Sequence, residues 1–157
     1  MNISKISYCR EIVLVTLHRV PGKIIGTLLT AISNGGVNID MISQTAPQGG
    51  TISLSFSISQ DSINDLMPLV NGFKASYPEL NMELAPGMTK LNFYDENMVN
   101  TPGVAAHVFT VLDEIQVNMI TTSTVDISLL IPAHQEDAAL ALCRKAYNVE
   151  PEELPFS

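Results

Sequence analysis

Ile12-Val13-Leu14-Val15-Thr16-Leu17, followed by His18-Arg19-Val20-Pro21-Gly22, decides the fold. The first six residues are almost all β-branched or aliphatic and read as a short buried strand, which Pro21-Gly22 stops. The period then changes. Ile24, Ile25, Leu28, Leu29 and Ile32 lie on one stripe of a helix of about three turns, and Asn34-Gly35-Gly36 ends it. Residues 37–44 read as a second strand. Pro47-Gln48-Gly49-Gly50 is a turn, and residues 51–58 alternate, with Ile52, Leu54, Phe56 and Ile58 on one face and Ser53, Ser55 and Ser57 on the other. These two strands predict an antiparallel hairpin. Ser62-Ile63-Asn64-Asp65 predicts a capping box for a second helix that carries Leu66, Leu69, Val70 and Phe73, with Pro68 in its first turn or at a kink. Tyr77-Pro78 closes that helix, and residues 81–84 form a short fourth strand before Pro86-Gly87.

The pattern then repeats. Leu91-Asn92-Phe93-Tyr94 is a strand, Pro102-Gly103 opens a helix, and Val104, Ala105, Val108, Phe109 and Leu112 reproduce the first helical stripe about 80 residues on. Residues 117–122 and 125–131 make a second hairpin, and residues 135–147 a last helix burying Ala139, Leu142, Cys143 and Ala146. A repeat of strand–helix–strand–strand–helix at this length predicts two tandem α+β units. The second copy has no strand after its last helix, whereas residues 3–8 supply a spare strand ahead of the first copy. Placing that leading strand in the second copy balances both sheets. The expected division is therefore residues 11–87 for the first unit, residues 1–10 with 88–148 for the second, and a tail over 149–157.

The chain has 157 residues, 46% hydrophobic and only 15% charged, enough apolar surface to form a core and to exclude disorder. Sixteen acids against eight bases give a net charge of −8, which argues against nucleic acid and against anionic membranes as partners. No apolar run is long enough for a membrane span, and the first residues do not read as a signal peptide. Cys9 and Cys143 are too few for a disulfide framework and read as buried thiols of a cytoplasmic protein. The apolar balance and the outer strand edges point to a homodimer.

Catalytic signatures are missing. His18, His107 and His134 have no metal-ligand spacing, and no nucleophile elbow occurs. Gly22-Lys23-Ile24-Ile25-Gly26 lacks the Lys-Ser/Thr ending of a phosphate loop, and its isoleucines belong to the core stripe. Asp95-Glu96 and Glu152-Glu153 are adjacent acids that read as a solvated turn and a solvated tail, and Met41 and Met119 as core. No cofactor or metal is expected. What remains are two Pro-Gly turns, each setting a helix N-terminus after a strand, where backbone N–H groups and the helix dipole suit a carboxylate.

These residues resemble a known family. Residues 12–17 with Pro21-Gly22, then Val37-Asn38-Ile39-Asp40-Met41-Ile42-Ser43-Gln44, are similar to the first ACT unit of the regulatory region of aspartate kinases. Pro102-Gly103-Val104-Ala105-Ala106, Ile120-Thr121-Thr122-Ser123 and Ile127-Ser128 are similar to the second. The resemblance covers almost the whole chain. It implies two ferredoxin-like βαββαβ units, a leading strand that completes the second unit, and an amino-acid-sensing module for feedback control of lysine, threonine or methionine biosynthesis. The Lys-Phe-Gly-Gly segment that opens an aspartate kinase has no counterpart here, so no enzyme is expected from this chain by itself; a kinase domain or catalytic subunit is the implied partner.

By resemblance, an effector amino acid, lysine or threonine, sits at an ACT–ACT interface. The turn is Arg19, Val20, Pro21, Gly22, Lys23 and Ile24; the facing strand gives Asn38, Ile39, Asp40 and Gln44. The second unit offers Val104, Ala105, Ser123 and Thr124, with Asn118-Met119 or Gln116-Val117 for the family's Asn-Ile pair, the first preserving local order. Two departures stand out. Arg19 replaces an acid suited to an ammonium, and the second unit is two residues short before Met119. They leave an alternative in which the ACT units only hold subunits together around a degenerate pocket.

Overall fold

A computed structural model describes residues 2–156. They divide into two compact units, Glu11–Pro86 and residues 2–10 with Gly87–Phe156. In the first unit, β1 (Lys5–Pro21, of which residues 11–21 belong here) is flanked by β3 (Thr51–Ser59), and β3 by β2 (Ile42–Gln44). The start of β4 (Asn81–Tyr94) lies on the other side of β1. Helices α1 (Ile25–Asn34) and α2 (Ile63–Ser76) supply Leu28, Ile32, Leu66 and Val70 to the core. These close over Val13, Val15, Leu17, Leu54 and Phe56, all at most 1% exposed.

The second unit has the same plan. Its sheet runs from residues 5–10 of β1 through β4 and β6 (Asp126–Pro132) to β5 (Met119–Thr122), with the pairs antiparallel at Leu91↔Leu129 and Ile120↔Leu129. Helices α3 (Val104–Val111) and α4 (Glu136–Tyr147) cover Leu91, Phe93, Leu129 and Ile131, and Ile3 and Ile6 of the leading segment are buried with them. The fold is α+β, and the leading strand completes the second unit.

The expected elements differ from these in instructive ways. The leading strand and residues 12–17 are one strand, because Arg10-Glu11 contains no breaker and the chain absorbs its turn in a positive φ of 59° at Glu11. The short strand over 81–84 likewise runs on through Pro86-Gly87 as β4, with Gly87 at φ 70°. Gly87 falls in the second unit. Residues 37–41 are not strand. The Ser57 hydroxyl accepts from the Met41 N–H at 2.9 Å, and the Ser57 carbonyl from Asp40, so only Ile42–Gln44 enters the ladder. Similarly β5 starts at Met119, not at 117.

Ser62 forms no cap. Ser59 accepts from the Asp61 N–H and opens a 3-10 turn, Gln60–Ser62, ahead of α2, and Pro68 lies inside that helix on its exposed side. In α4, Leu140 is buried and Ala146 exposed, so the core stripe is displaced from the one expected. Residues 149–156 are not a free tail: Glu152–Glu153 form β7, parallel to Ser7-Tyr8 of β1, and the Leu154 N–H donates to the Tyr8 carbonyl at 2.8 Å. Met1 and Ser157, the ends of the expected leading segment and tail, lie outside the described residues.

Candidate functional site

The strand–helix turn of the first unit is built on a β-bulge. Leu17 pairs with Leu54 and Val20 with Ile52, so His18 and Arg19 together oppose Ser53. The extra residue returns Val20 to the core, fully buried, and turns Arg19 outward at φ 56°. Arg19 Nε donates to the Glu79 carbonyl at 2.8 Å, and His18 faces Ser53 through Nδ1 and Glu83 through Nε2, both at 3.2 Å. Beyond Pro21 a 3-10 turn, Gly22–Ile24, leads into α1. The Gly22 N–H donates to the Gly50 carbonyl at 3.0 Å, so of the amides that open this helix, those of Lys23 and Ile24 are the ones left for a ligand. Ile24 is buried and Lys23 exposed.

The facing strand separates into two groups. Gln44 lines an apolar cavity of about 340 Å³ with Ile25, Leu29, Ile42 and Leu54, next to the helix that the turn begins. Asn38 and the half-buried Ile39 and Asp40 precede β2, some six residues away along the chain. Arg19 borders a different cavity, of about 260 Å³, with His18, Thr45, Gln48, Thr51 and Ser53. The structure thus brings Gln44 beside the start of α1 and carries the Arg19 side chain toward the loop before β4.

In the second unit Gly103 adopts φ 87° and starts α3, with Val104 buried and Ala105 exposed. Asn118 donates its N–H to the Leu130 carbonyl and accepts from the Gln116 side chain, ahead of buried Met119. Ser123 and Thr124 form the β5–β6 turn, where the Ser123 hydroxyl bonds Asp126 Oδ1 at 2.5 Å. Asp95 is not a solvated acid. It is 5% exposed, donates its N–H to the Val125 carbonyl, and accepts from the Asn97 N–H.

A second polar cluster escaped the sequence reading. Arg10 donates to both oxygens of buried Glu136, Thr89 donates its hydroxyl to Glu136 Oε1, and Arg10 Nη1 lies 3.6 Å from Glu153. Burial alone would push the Glu136 carboxyl up. The hydrogen bonds from Arg10 and Thr89, with the Arg10 charge, outweigh it and hold the carboxyl below its ordinary value. The signal in the sequence was slight, an acid in the first turn of a helix. Cys143 and Tyr147, both buried in the same unit, are pushed up to about 12 by burial, so neither ionises near neutrality. His107 Nδ1 meets the Tyr147 hydroxyl at 2.8 Å. Among the described residues no group of acids, cysteines and histidines could hold a metal ion, and no helix is long and apolar enough to cross a membrane.

Comparison with known proteins agrees in sequence and in fold. Residues 93–147 match the ACT domain family. An aspartokinase of Bacillus sp. (strain MGA3) is 30% identical over 143 residues, covering 88% of this chain and 35% of its own length. The aspartate kinase of Synechocystis superposes with a TM-score of 0.88 at 27% identity, over 99% of this chain and 28% of that one. The ligand-free regulatory subunit of aspartate kinase from Thermus thermophilus gives a TM-score of 0.82 at 24% identity, over 94% of this chain and 99% of that subunit. The chain therefore spans about a third of the length of the aspartokinase it matches in sequence. In sequence the chain is similar to aspartokinases over about a third of their length, and in fold to the regulatory subunit of aspartate kinase.

Proposed function

We propose that the chain is an amino-acid-sensing allosteric module that binds an effector, lysine or threonine, at an ACT–ACT interface and biases a kinase partner. The observation that carries this reading is the turn at Gly22–Ile24. There the Lys23 and Ile24 amides open α1 beside a cavity that holds the Gln44 carboxamide. The effector carboxylate sits on those amides, its ammonium on carbonyls and on Gln44 or Asn118, and a basic side chain reaches Asp40. Effector binding that favours one arrangement of ACT units over another supplies the coupling, typically about 1–3 kcal/mol. The role needs no cofactor, the assembly is a homodimer with a kinase domain or subunit attached or bound, and the compartment is the cytoplasm.

A second reading, an assembly module with a degenerate pocket, is favoured by one observation: the Gly22 amide is occupied by Gly50, and the Arg19 side chain is held by Glu79. A thermal-shift series with the twenty amino acids separates them. Ligand bound only to the folded state raises the melting point by mass action, so lysine or threonine at millimolar concentration should do so under the sensing reading. If no amino acid moves the transition, the assembly reading stands instead.

A further inference from the structure

We propose that Ser53 is an activated nucleophile, held in line with His18 and Glu83, that takes up a small acyl group from an activated ester. Three strands of the first unit supply the three residues: Glu83 comes from β4, His18 from β1 and Ser53 from β3, and β1 lies between the other two. Leu17 and Val20 both belong to the core, and the bulge between them sets His18 opposite Ser53 on the face that Thr16 and Ser55 share. The acid end fixes the chemistry of the line. A carboxylate only accepts, so Glu83 Oε1, 3.2 Å from His18 Nε2, requires the proton on that nitrogen. In the neutral ring Nδ1 then carries the lone pair, and the Ser53 hydroxyl, 3.2 Å away, donates to it. A nucleophile, its base and the group that orients the base are therefore in place.

Ser53 is also held from its other side. Thr45 donates its N–H to the Ser53 carbonyl at 2.9 Å, and its hydroxyl accepts from the Ser53 N–H at 3.0 Å. Ser55 gives a comparison within the same strand: it is half-buried on the same face, but its hydroxyl meets that of Thr16, at 3.3 Å, and no base. A cavity of about 260 Å³ opens beside the reacting pair, lined by His18 and Ser53 together with Thr45, Gln48 and Thr51. It is smaller than the roughly 300–1,000 Å³ of drug-sized sites, which suits an acyl group of a few carbons. The Gln48 carboxamide has no partner among the described residues, and is a donor in that cavity for a carbonyl oxygen gaining charge. In the reaction, Ser53 Oγ attacks the ester carbonyl carbon and forms the new C–O bond, while its proton passes to His18 Nδ1. The bond from that carbon to the leaving oxygen breaks, the leaving oxygen takes the electron pair, and the imidazolium, steadied by Glu83, returns the proton to it. One ester on Ser53 and one free alcohol result.

p-Nitrophenyl acetate, added to the full chain, tests the assignment. Release of nitrophenolate is followed by absorbance, and the acetylated residue is located by peptide mass spectrometry. A rapid burst of release, with acetyl on Ser53 and not on Ser55, is expected, and Ser53→Ala should lose it. His18→Asn should slow acetylation of Ser53 about a hundredfold or more. Glu83→Gln, at a mostly exposed position, should keep the fold and slow the reaction as well. The rate at Ser53 relative to Ser55 is the readout, because a general loosening of the sheet would expose both serines together. Acetyl confined to lysines, equal labelling of the two serines, a burst that survives Ser53→Ala, or an unchanged ratio in His18→Asn or Glu83→Gln overturns the assignment.

Discussion

Arg10 donates to Glu136 Oε1 from Nε at 3.1 Å and to Oε2 from Nη2 at 2.7 Å, and this bidentate contact ties the leading segment of the chain to the start of α4. The carboxylate side chain is only 8% exposed, and Thr89 supplies its further donor. Removing one member of such a set leaves a buried charge short of donors. Thr89→Val keeps the shape and deletes the hydroxyl, and should cost about 1.5 kcal/mol in denaturant unfolding of the second unit. Arg10→Met should also destabilise, and Glu136→Gln in the Arg10→Met background should recover part of the loss, since the uncompensated charge goes with it. A double-mutant cycle showing independent effects would rule out the coupling.

The same carboxyl sets an acid limit. Its folded-state value lies below the ordinary 4.5, so its contribution is complete above that value and is lost as pH falls through the depressed one. Melting curves between neutrality and strong acid should show the second unit weakening at the acid end. Glu136→Gln should flatten that part of the profile while lowering stability at neutral pH. A variant profile parallel to that of the parent would assign the acid limit to other groups.

The leading segment is structural rather than ornamental. Ile3 and Ile6 are 1% and 2% exposed within the second unit, and β7 pairs with Ser7-Tyr8. Removing residues 1–10 takes away a strand and two core side chains, and uncovers the edge of β4. Calorimetry should then show the second unit losing more stability than the first. Ile6→Ala, a milder lesion, should cost about 3 kcal/mol. Equal melting of truncated and intact chains would remove the leading strand from the second unit's sheet.

The fold was legible because the apolar stripe of residues 24–32 recurs at 104–112 and each stripe follows a Pro-Gly turn. What escaped were contacts that depend on a single residue's hydrogen bond or dihedral. The Ser57 hydroxyl takes the Met41 amide and shortens β2, an exchange that strand propensity does not express. The bulge at His18-Arg19 carries no glycine to announce it, so the outward turn of Arg19 and its bond to Glu79 were invisible in the sequence. Glu136 and Arg10 are far apart in the chain and meet only once the leading strand is in place. The polar face of Ser53, Ser55 and Ser57 was visible, but its pairing with His18 follows from the bulge.

Gln44 gives the most direct test of the effector turn. It lines the cavity with Ile25 and Leu29 at the start of α1, and its side chain makes only a long contact, 3.4 Å, to the neighbouring Thr45 carbonyl. A carboxamide so weakly engaged is available to a ligand without breaking a strong internal bond. If it holds the effector's ammonium, Gln44→Ala should weaken binding by about 1–2 kcal/mol, a hydrogen bond to a charged group, while leaving the melting point of the unliganded chain almost unchanged because Gln44 is exposed. Calorimetric titration with whichever amino acid raises the melting point measures the first effect, and thermal unfolding without ligand the second. Unchanged affinity in Gln44→Ala, with the parent binding normally, would place the effector away from this turn.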